Sequence, residues 1–567
     1  MRLTVLVGEL RRRHVFRVAA IYVVAAFAAL QGASLLVDVL GLPAAAMQIL
    51  TLIALVAFPV VLAVSWTFDH TPGGMVRTQS VDTVAATHES AAHARTAVAV
   101  LPFANLSGDA ENEYFSDGMT EDILTHLSRI NGLRVTSRTS VLRFKNTTRS
   151  LTDIANELRV GSVVEGSVRH AGNRVRITAQ LIEAAGDRHL WAETYDRDLS
   201  DIFEVQSDVA RKIASALRIQ LTPAEEARLD REPTQSVEAY NLYLQARALG
   251  TQFSTKDLEQ AVKLCQRALE LDPNFVDAYA GIAQASAMMS FSQPRLPSEL
   301  YPPAMIAARR ALELDESSAL AHASLAALLM SFEWDWPAAM FEFDCALELD
   351  PRNEDALAWK ALLLESLERH DQAIEHGRRA VQAHPHSLIA AYRYGETLIM
   401  GGRIDEAVSV LERAVLLDQK QFLPRFWLAT AYAAADRLPE AIAEFERVLA
   451  VPDAPRLWYG PYGAQLARSG RTAEARAFLQ KLRGLAEHQY ISPYAFFSLH
   501  LALGEVELAL DECERLIEDR SGLVIYLRSV PRFKPLRNHP RFMRILRSLW
   551  PDDFPAQGTG SSRSAGS

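Results

Sequence analysis

One alanine recurs at a fixed interval along this chain: Ala339, Ala373, Ala407, Ala441, Ala475 and Ala509 are each 34 residues apart. A second ladder runs seven residues behind it, through Ala346, Ala380, Ala414, Val448, Leu482 and Leu516. A third stands five residues ahead, at Gly402, Asp436, Gly470 and Gly504. Self-similarity at this period restricts the chain to stacked copies of one supersecondary unit. Two helices of about 14 residues each, with two turns, account for it. Small residues are needed where paired helices cross closely, and alanine also has the best helix propensity. Ala441, Phe445 and Val448 follow the i, i+4, i+7 rule and define one apolar face.

Proline recurs just past the second helix of several units, at Pro273, Pro351 and Pro385, where it cannot continue a helix. The pattern resembles the tetratricopeptide repeat. Gly395 and Gly463 occupy the small position of the first helix, and Ala361 and Ala429 replace glycine there. The array is expected over 238–520 as about eight repeats. The second is lengthened near Phe291–Pro297, and the third carries Trp334-Asp335-Trp336-Pro337 in its internal turn. The basic stretch Val530–Leu549 is expected to close the array within a capping segment at 521–550, ahead of a Gly/Ser-rich, disordered tail at 551–567.

A chain of 567 residues is too long for one core. Its net charge of −10 argues against phosphate-driven nucleic-acid binding. The three cysteines, Cys265, Cys345 and Cys513, form neither a disulfide framework nor metal pairs. Cys265 and Cys513 fall where Phe445 stands in its repeat, so they read as packing.

A basic head (1–16) precedes two apolar stretches, Val18–Val37 and Ala44–Trp66. Each is long enough to cross a bilayer, so 17–66 reads as a transmembrane hairpin contacting lipid. Arg11, Arg12, Arg13 and Arg17 place the head in the cytoplasm, and two crossings return the chain to that side. The expectation is a multi-pass bacterial inner-membrane protein with cytoplasmic soluble domains, the periplasm being the alternative. Residues 67–95 read as a linker. Its His70, His88 and His93 lack metal-ligand spacing.

Residues 96–220 alternate strand and helix signals. Strands are expected at 97–103, 133–137, 161–170, 174–183 and 188–195, and helices at 112–129, 150–159 and 201–217, with Ser150 and Asp201 as caps. "AVAVLPFANLSGDAENEYFSDGMTEDILTHL" and "VEGSVRHAGNRVRITAQLIEAAGDRHLWAETYDRDLSDIF" resemble the TolB amino-terminal-like domain of FlgO type. That resemblance implies a bacterial protein combining this domain with membrane segments and tetratricopeptide repeats. Relatives also carry a winged-helix or a cyclase catalytic domain, and no segment of this sequence matches either. The fold class expected is therefore multidomain: an N-terminal transmembrane helical hairpin, a mixed α/β TolB-like domain, a connector at 221–237 and an all-α solenoid.

No phosphate-binding, dinucleotide-binding, zinc-protease or nucleophile-elbow motif occurs, so no catalytic residue, cofactor or metal is expected. The acidic group Asp109, Glu111, Glu113, Asp117, Glu121 and Asp122 has the donors for a divalent cation, but acids near a helix start also suit its dipole. His384-Pro385-His386 reads as a solvated turn. A solenoid offers a concave groove lined by first helices. Tyr392, Arg393, Arg425 and Trp427 are its candidate partner-binding residues, since aromatics and arginine dominate hot spots. The function expected is a membrane-anchored, non-catalytic scaffold binding a protein or peptide in that groove. A regulatory component of a cyclase-type signalling system and a periplasmic envelope-assembly factor are the alternatives.

Overall fold

The computed structural model describes residues 97–553 apart from 108–112, 129, 251–253, 386, 419–420 and 452–454, and ahead of them 68–71, 74–77 and parts of 22–59. Two compact units divide the chain after Arg95. In the first, β1 (Phe68–Thr71) and β2 (Gly74–Arg77) form an antiparallel hairpin, and Tyr22 donates from its hydroxyl to the Ala54 carbonyl at 2.7 Å.

The second unit begins with a mixed sheet. Its strands are β3 (Ala97–Val100), β4 (Ala104–Asn105), β5 (Arg134–Val135), β6 (Ser162–Ala171), β7 (Arg174–Glu183) and β8 (Arg188–Asp198). The order is β5-β3-β6-β7-β8, with β4 also on β6. β3 runs parallel to β5 and β6, and the β6-β7-β8 meander is antiparallel. The parallel strand β3 is fully buried, as a strand covered on both faces must be. In β7, Val175, Ile177, Ala179 and Leu181 alternate inward with period two. Helices α1 (Glu113–Ser128) and α4 (Ile202–Ala216) belong to one core with them, whereas α2 (Arg138–Leu142) and α3 (Leu151–Leu158) contribute to a smaller one. Ser150 caps α3, accepting from the Asp153 amide at 3.1 Å. Asp201 stands at the start of α4 but makes no capping bond there; it accepts from Ser200 instead.

After α5 (Pro223–Leu229), sixteen helices form eight antiparallel pairs among the described residues. They are α6/α7 (Val237–Gly250, Thr255–Leu271), α8/α9 (Val276–Met288, Pro297–Leu314), α10/α11 (Ala319–Leu328, Trp336–Leu349) and α12/α13 (Glu354–Ser366, His370–Ala383). The remaining four are α14/α15 (Leu388–Met400, Ile404–Leu417), α16/α17 (Phe422–Ala434, Leu438–Leu449), α18/α19 (Tyr459–Arg468, Thr472–Ala486) and α20/α21 (Pro493–Ala502, Val506–Glu518). All six alanines of the first ladder are 0% exposed, so each marks a helix crossing that admits no larger side chain. The turn inside each of the last six pairs uses a left-handed residue at the same 34-residue step: Trp334, Glu368, Gly402, Asp436, Gly470 and Gly504, with φ between 56° and 82°. In the last five of these turns the next amide bonds back to the carbonyl five residues earlier, as Arg403 to Leu398 at 2.8 Å and Arg471 to Leu466 at 2.9 Å, whereas after Trp334 the Asp335 amide reaches Leu329, six residues earlier. This satisfies carbonyls left open at the end of each first helix.

First and second helices differ in burial. In α13 only Ala373, Ile374, Gly377 and Ala380 are buried, one stripe of an amphipathic helix. In α12 the eleven residues from Ala356 to Ser366 are all buried, so both of its faces are covered. The cover comes from the end of the chain. α22 (Ile525–Ser529), a 3-10 segment (Pro531–Asn538) and α23 (Pro540–Leu549) return along the first helices. Ser521 meets Gln293 at 2.8 Å, Tyr526 donates to Glu396 at 2.7 Å, and Trp336 donates to the Leu549 carbonyl at 2.7 Å. Trp550 stacks on Trp336 with ring centres 5.4 Å apart and planes 6° from parallel. The segment expected to cap the array end therefore runs through its lumen, and α23 also binds the outer end, where Arg541 pairs with Glu507, Asp511 and Glu514.

The sheet domain and the array share a polar junction. The Asp122 carboxylate on α1 accepts from Gln206 at 2.9 Å, from Arg247 at 3.0 Å and from Tyr240. Burial pushes its carboxyl up to about 6, against the pull of Arg247. Glu121 pairs with Arg138 and Arg247, while Glu113 and Asp117 hold Lys145. The acidic stretch thus spends its described carboxylates on cations of this chain; Asp109 and Glu111 lie outside the described residues.

The transmembrane part of the expected fold class is corrected here. No helix among the described residues is long and apolar enough to cross a membrane, which also removes the support for a multi-pass inner-membrane location. Most of 17–66, where the hairpin was expected, lies outside the described residues, as does the tail from 554 onward.

Candidate functional site

The lumen is not filled completely. A cavity of about 530 Å³ remains between the first helices α12, α14, α16, α18 and α20 and the returning segment. Its walls are rich in aromatic residues, among them Trp359, Tyr392, Phe426, Trp427, Trp458 and Tyr526. Phe426 stacks on Trp458 at 4.6 Å, and Trp427 faces Tyr526 at 6.1 Å. The 34-residue repeat explains the convergence, because equivalent positions of neighbouring first helices line up on one inner face.

The cavity sits beside a buried polar knot. Arg393 pairs with Glu396 at 2.7 Å, and its guanidinium lies 4.8 Å from the Trp359 ring centre and 5.2 Å from that of Tyr392. Glu396 also accepts from Tyr526, so its two oxygens join one repeat to the returning segment. Burial raises the Glu396 carboxyl, an effect Arg393 opposes. Asp355 on the cavity wall accepts from Gln284 at 2.6 Å. Burial, assisted by Glu354, raises its carboxyl to about 6 against the opposing influence of Gln284 and Arg393.

A pH dependence follows from Asp355. Its folded-state value lies above the ordinary aspartate range near 4. The folded protein therefore binds the proton more readily, and this contribution to stability is lost as pH rises through about 6. Asp355→Asn keeps an acceptor for Gln284 and removes the charge. Thermal melts should show the variant matching the parent at pH 4.5 and melting higher at pH 7.

The sequence-derived groove residues separate into two groups. Tyr392, Arg393 and Trp427 all line the cavity. Arg425 does not; its guanidinium pairs with Glu444 on α17 at 3.0 Å. His384 is buried rather than solvated, with Nε2 2.6 Å from the Arg352 carbonyl; His386 lies outside the described residues. Trp336 packs on Trp550, and Cys265 and Cys513 are buried in the core. Sequence reasoning missed Tyr526, Val530 and Arg532, which come from the segment read as a cap. The signal was available in α20, where Pro493–His500 are all buried and the sequence is apolar on every face.

Comparison with known proteins agrees with the repeat architecture. Sequence models of the tetratricopeptide repeat match residues 238–275, 335–387 and 364–427. The chain carries multiple tetratricopeptide repeats, an architecture for holding other proteins. A model described as the second domain of HilA/YgeH-like transcriptional regulators matches 94–215. A protein of Rhizobium meliloti (strain 1021) described as putative adenylate cyclase 3 is 45% identical over 190 residues, 34% of this chain and 32% of the relative. The chain thus spans about a third of the length of that curated relative.

Among solved structures, a tetratricopeptide repeat protein from Parabacteroides merdae aligns with 47% of this chain and all of its own, at 16% identity and a TM-score of 0.33. The PilF protein of Pseudomonas aeruginosa aligns with 40% of this chain and 98% of its own, at 20% identity and 0.29. TolB of Acinetobacter baumannii aligns with 21% of this chain and 28% of its own, at 19% identity and 0.17. The TolB likeness is thus weak and partial.

Proposed function

We propose that this chain is a non-catalytic protein-interaction scaffold and that its partner engages the array through the lumen cavity, against Tyr392, Arg393 and Trp427. The observation carrying this reading is the cavity itself: an aromatic, concave site of about 530 Å³ lies on the inner face of the repeats. Concave sites of this size with a few polar groups are where ligands bind. The hot-spot residue types Trp, Tyr and Arg are concentrated there. Arg425, held by Glu444 outside the cavity, is assigned a packing role.

The test is affinity, not capture. Peptides selected by display on the full chain should lose at least tenfold in affinity with Trp427→Ala, read by calorimetry, while Trp427→Phe retains most of it. Equal affinity for parent and Trp427→Ala would place the partner elsewhere and overturn the reading. The description of the Rhizobium relative suggests a second reading, a regulatory component of a cyclase system. Cyclic nucleotide formed by the purified chain from ATP would overturn the non-catalytic assignment.

A further inference from the structure

Most polar groups of the cavity wall are paired, but several donors have no acceptor among the described residues. Tyr392, Trp427 and Trp458 are 4%, 6% and 3% exposed, and neither the Tyr392 hydroxyl nor either indole N–H donates to another described residue. Three guanidiniums line the cavity, from Arg393, Arg468 and Arg532, against one carboxylate, that of Asp355. Arg393 is neutralised by Glu396. Arg468 bonds the Ala433 carbonyl, Gln465 and Asp436. Arg532 is different. Its Nη2 reaches only the neutral Tyr494 hydroxyl at 3.2 Å and Ser498 hydroxyl at 3.4 Å, and it pairs with no carboxylate among the described residues. Its Nε is buried and has no hydrogen-bond partner.

Arg532 is half-buried, and both a guanidinium without a counter-ion and a buried Nε without an acceptor are costly. Both costs fall when an anionic, acceptor-rich group enters. The surrounding walls are apolar and aromatic, which favours a singly charged head on an apolar body over a dianion needing several cations.

We propose that the lumen cavity selects a carboxylate carried on a compact apolar body, with Arg532 as the counter-charge and Tyr392, Trp427 and Trp458 as further donors. This rests on the reading of the lumen as the binding site and names the chemistry that site takes. The same chemistry is offered by the carboxyl end of a partner chain and by a free organic acid.

The experiment uses the full chain and tryptophan fluorescence, since Trp359, Trp427 and Trp458 line the cavity. N-acetylphenylalanine stands for a chain terminus and its amide for the same shape without charge; octanoate and octan-1-ol are the free-acid pair. An acid should bind at least tenfold tighter than its neutral partner, and whichever acid binds tighter identifies the source. Arg532→Gln should abolish the preference for the acids over their neutral partners, while Arg532→Lys keeps it. Melting curves of both variants report folding. Acid and neutral probes binding equally, or a preference that survives Arg532→Gln, overturns the carboxylate assignment and leaves the lumen site standing. Saturable binding by none of the four overturns both.

Discussion

Gly460→Ala is expected to destabilise the array by about 3 kcal/mol or more, the upper range for forcing a methyl into a packed core. Gly460 lies in the first turn of α18, against α20 of the next repeat. A Cβ built on it would stand 2.1 Å from the Ala495 carbonyl oxygen and 2.5 Å from the Ala495 Cα. Those are backbone atoms of a buried helix and cannot rotate away, unlike the Leu499 side chain that a Cβ at Gly463 would meet at 2.9 Å. The two glycines therefore give an internal comparison. In urea titrations Gly463→Ala should shift the midpoint less than Gly460→Ala. Equal shifts would show that α18 and α20 slide apart freely, and that the close approach is not a constraint.

Glu396→Ala should cost about 3–5 kcal/mol, the range for removing one partner of a buried ion pair. Glu396 is 0% exposed. Its removal leaves the Arg393 guanidinium buried beside Trp359 and takes the acceptor from the Tyr526 hydroxyl. The cost is that of an uncompensated charge, so replacing both partners should recover most of it: Glu396→Leu combined with Arg393→Met is expected to be far more stable than Glu396→Ala alone. Chemical denaturation of the single and double variants reads this directly. Additive losses would mean that the pair contributes through packing rather than charge.

The array was legible in the sequence because one small residue per repeat is imposed by helix crossing, and that constraint recurs at fixed spacing. Ala407 and Ala441 could be assigned to the interior before any coordinate was known, and both are fully buried. The left-handed turn was legible at Gly402 and Gly470, but not at Trp334 or Glu368, where the same conformation is held by ordinary residues. The candidate site was half legible. Tyr392, Arg393 and Trp427 followed from being on first helices, because the repeat fixes which face turns inward. Tyr526 and Arg532 did not, because nothing periodic connects position 526 to Glu396, 130 residues earlier. The transmembrane expectation rested on hydropathy and on a family resemblance, and no described helix supports it.

The returning segment also has a consequence for synthesis. A linear repeat array can form pair by pair as it leaves the ribosome, each repeat needing only its neighbour. Here Gln293 waits for Ser521, 228 residues later, and Trp336 waits for Leu549, 213 residues later. Until then the inward faces of α8, α10 and α12 are nascent apolar surfaces with no intramolecular cover. During that interval the newborn chain resembles a client for chaperones, and the order in which its parts emerge sets how long that exposure lasts.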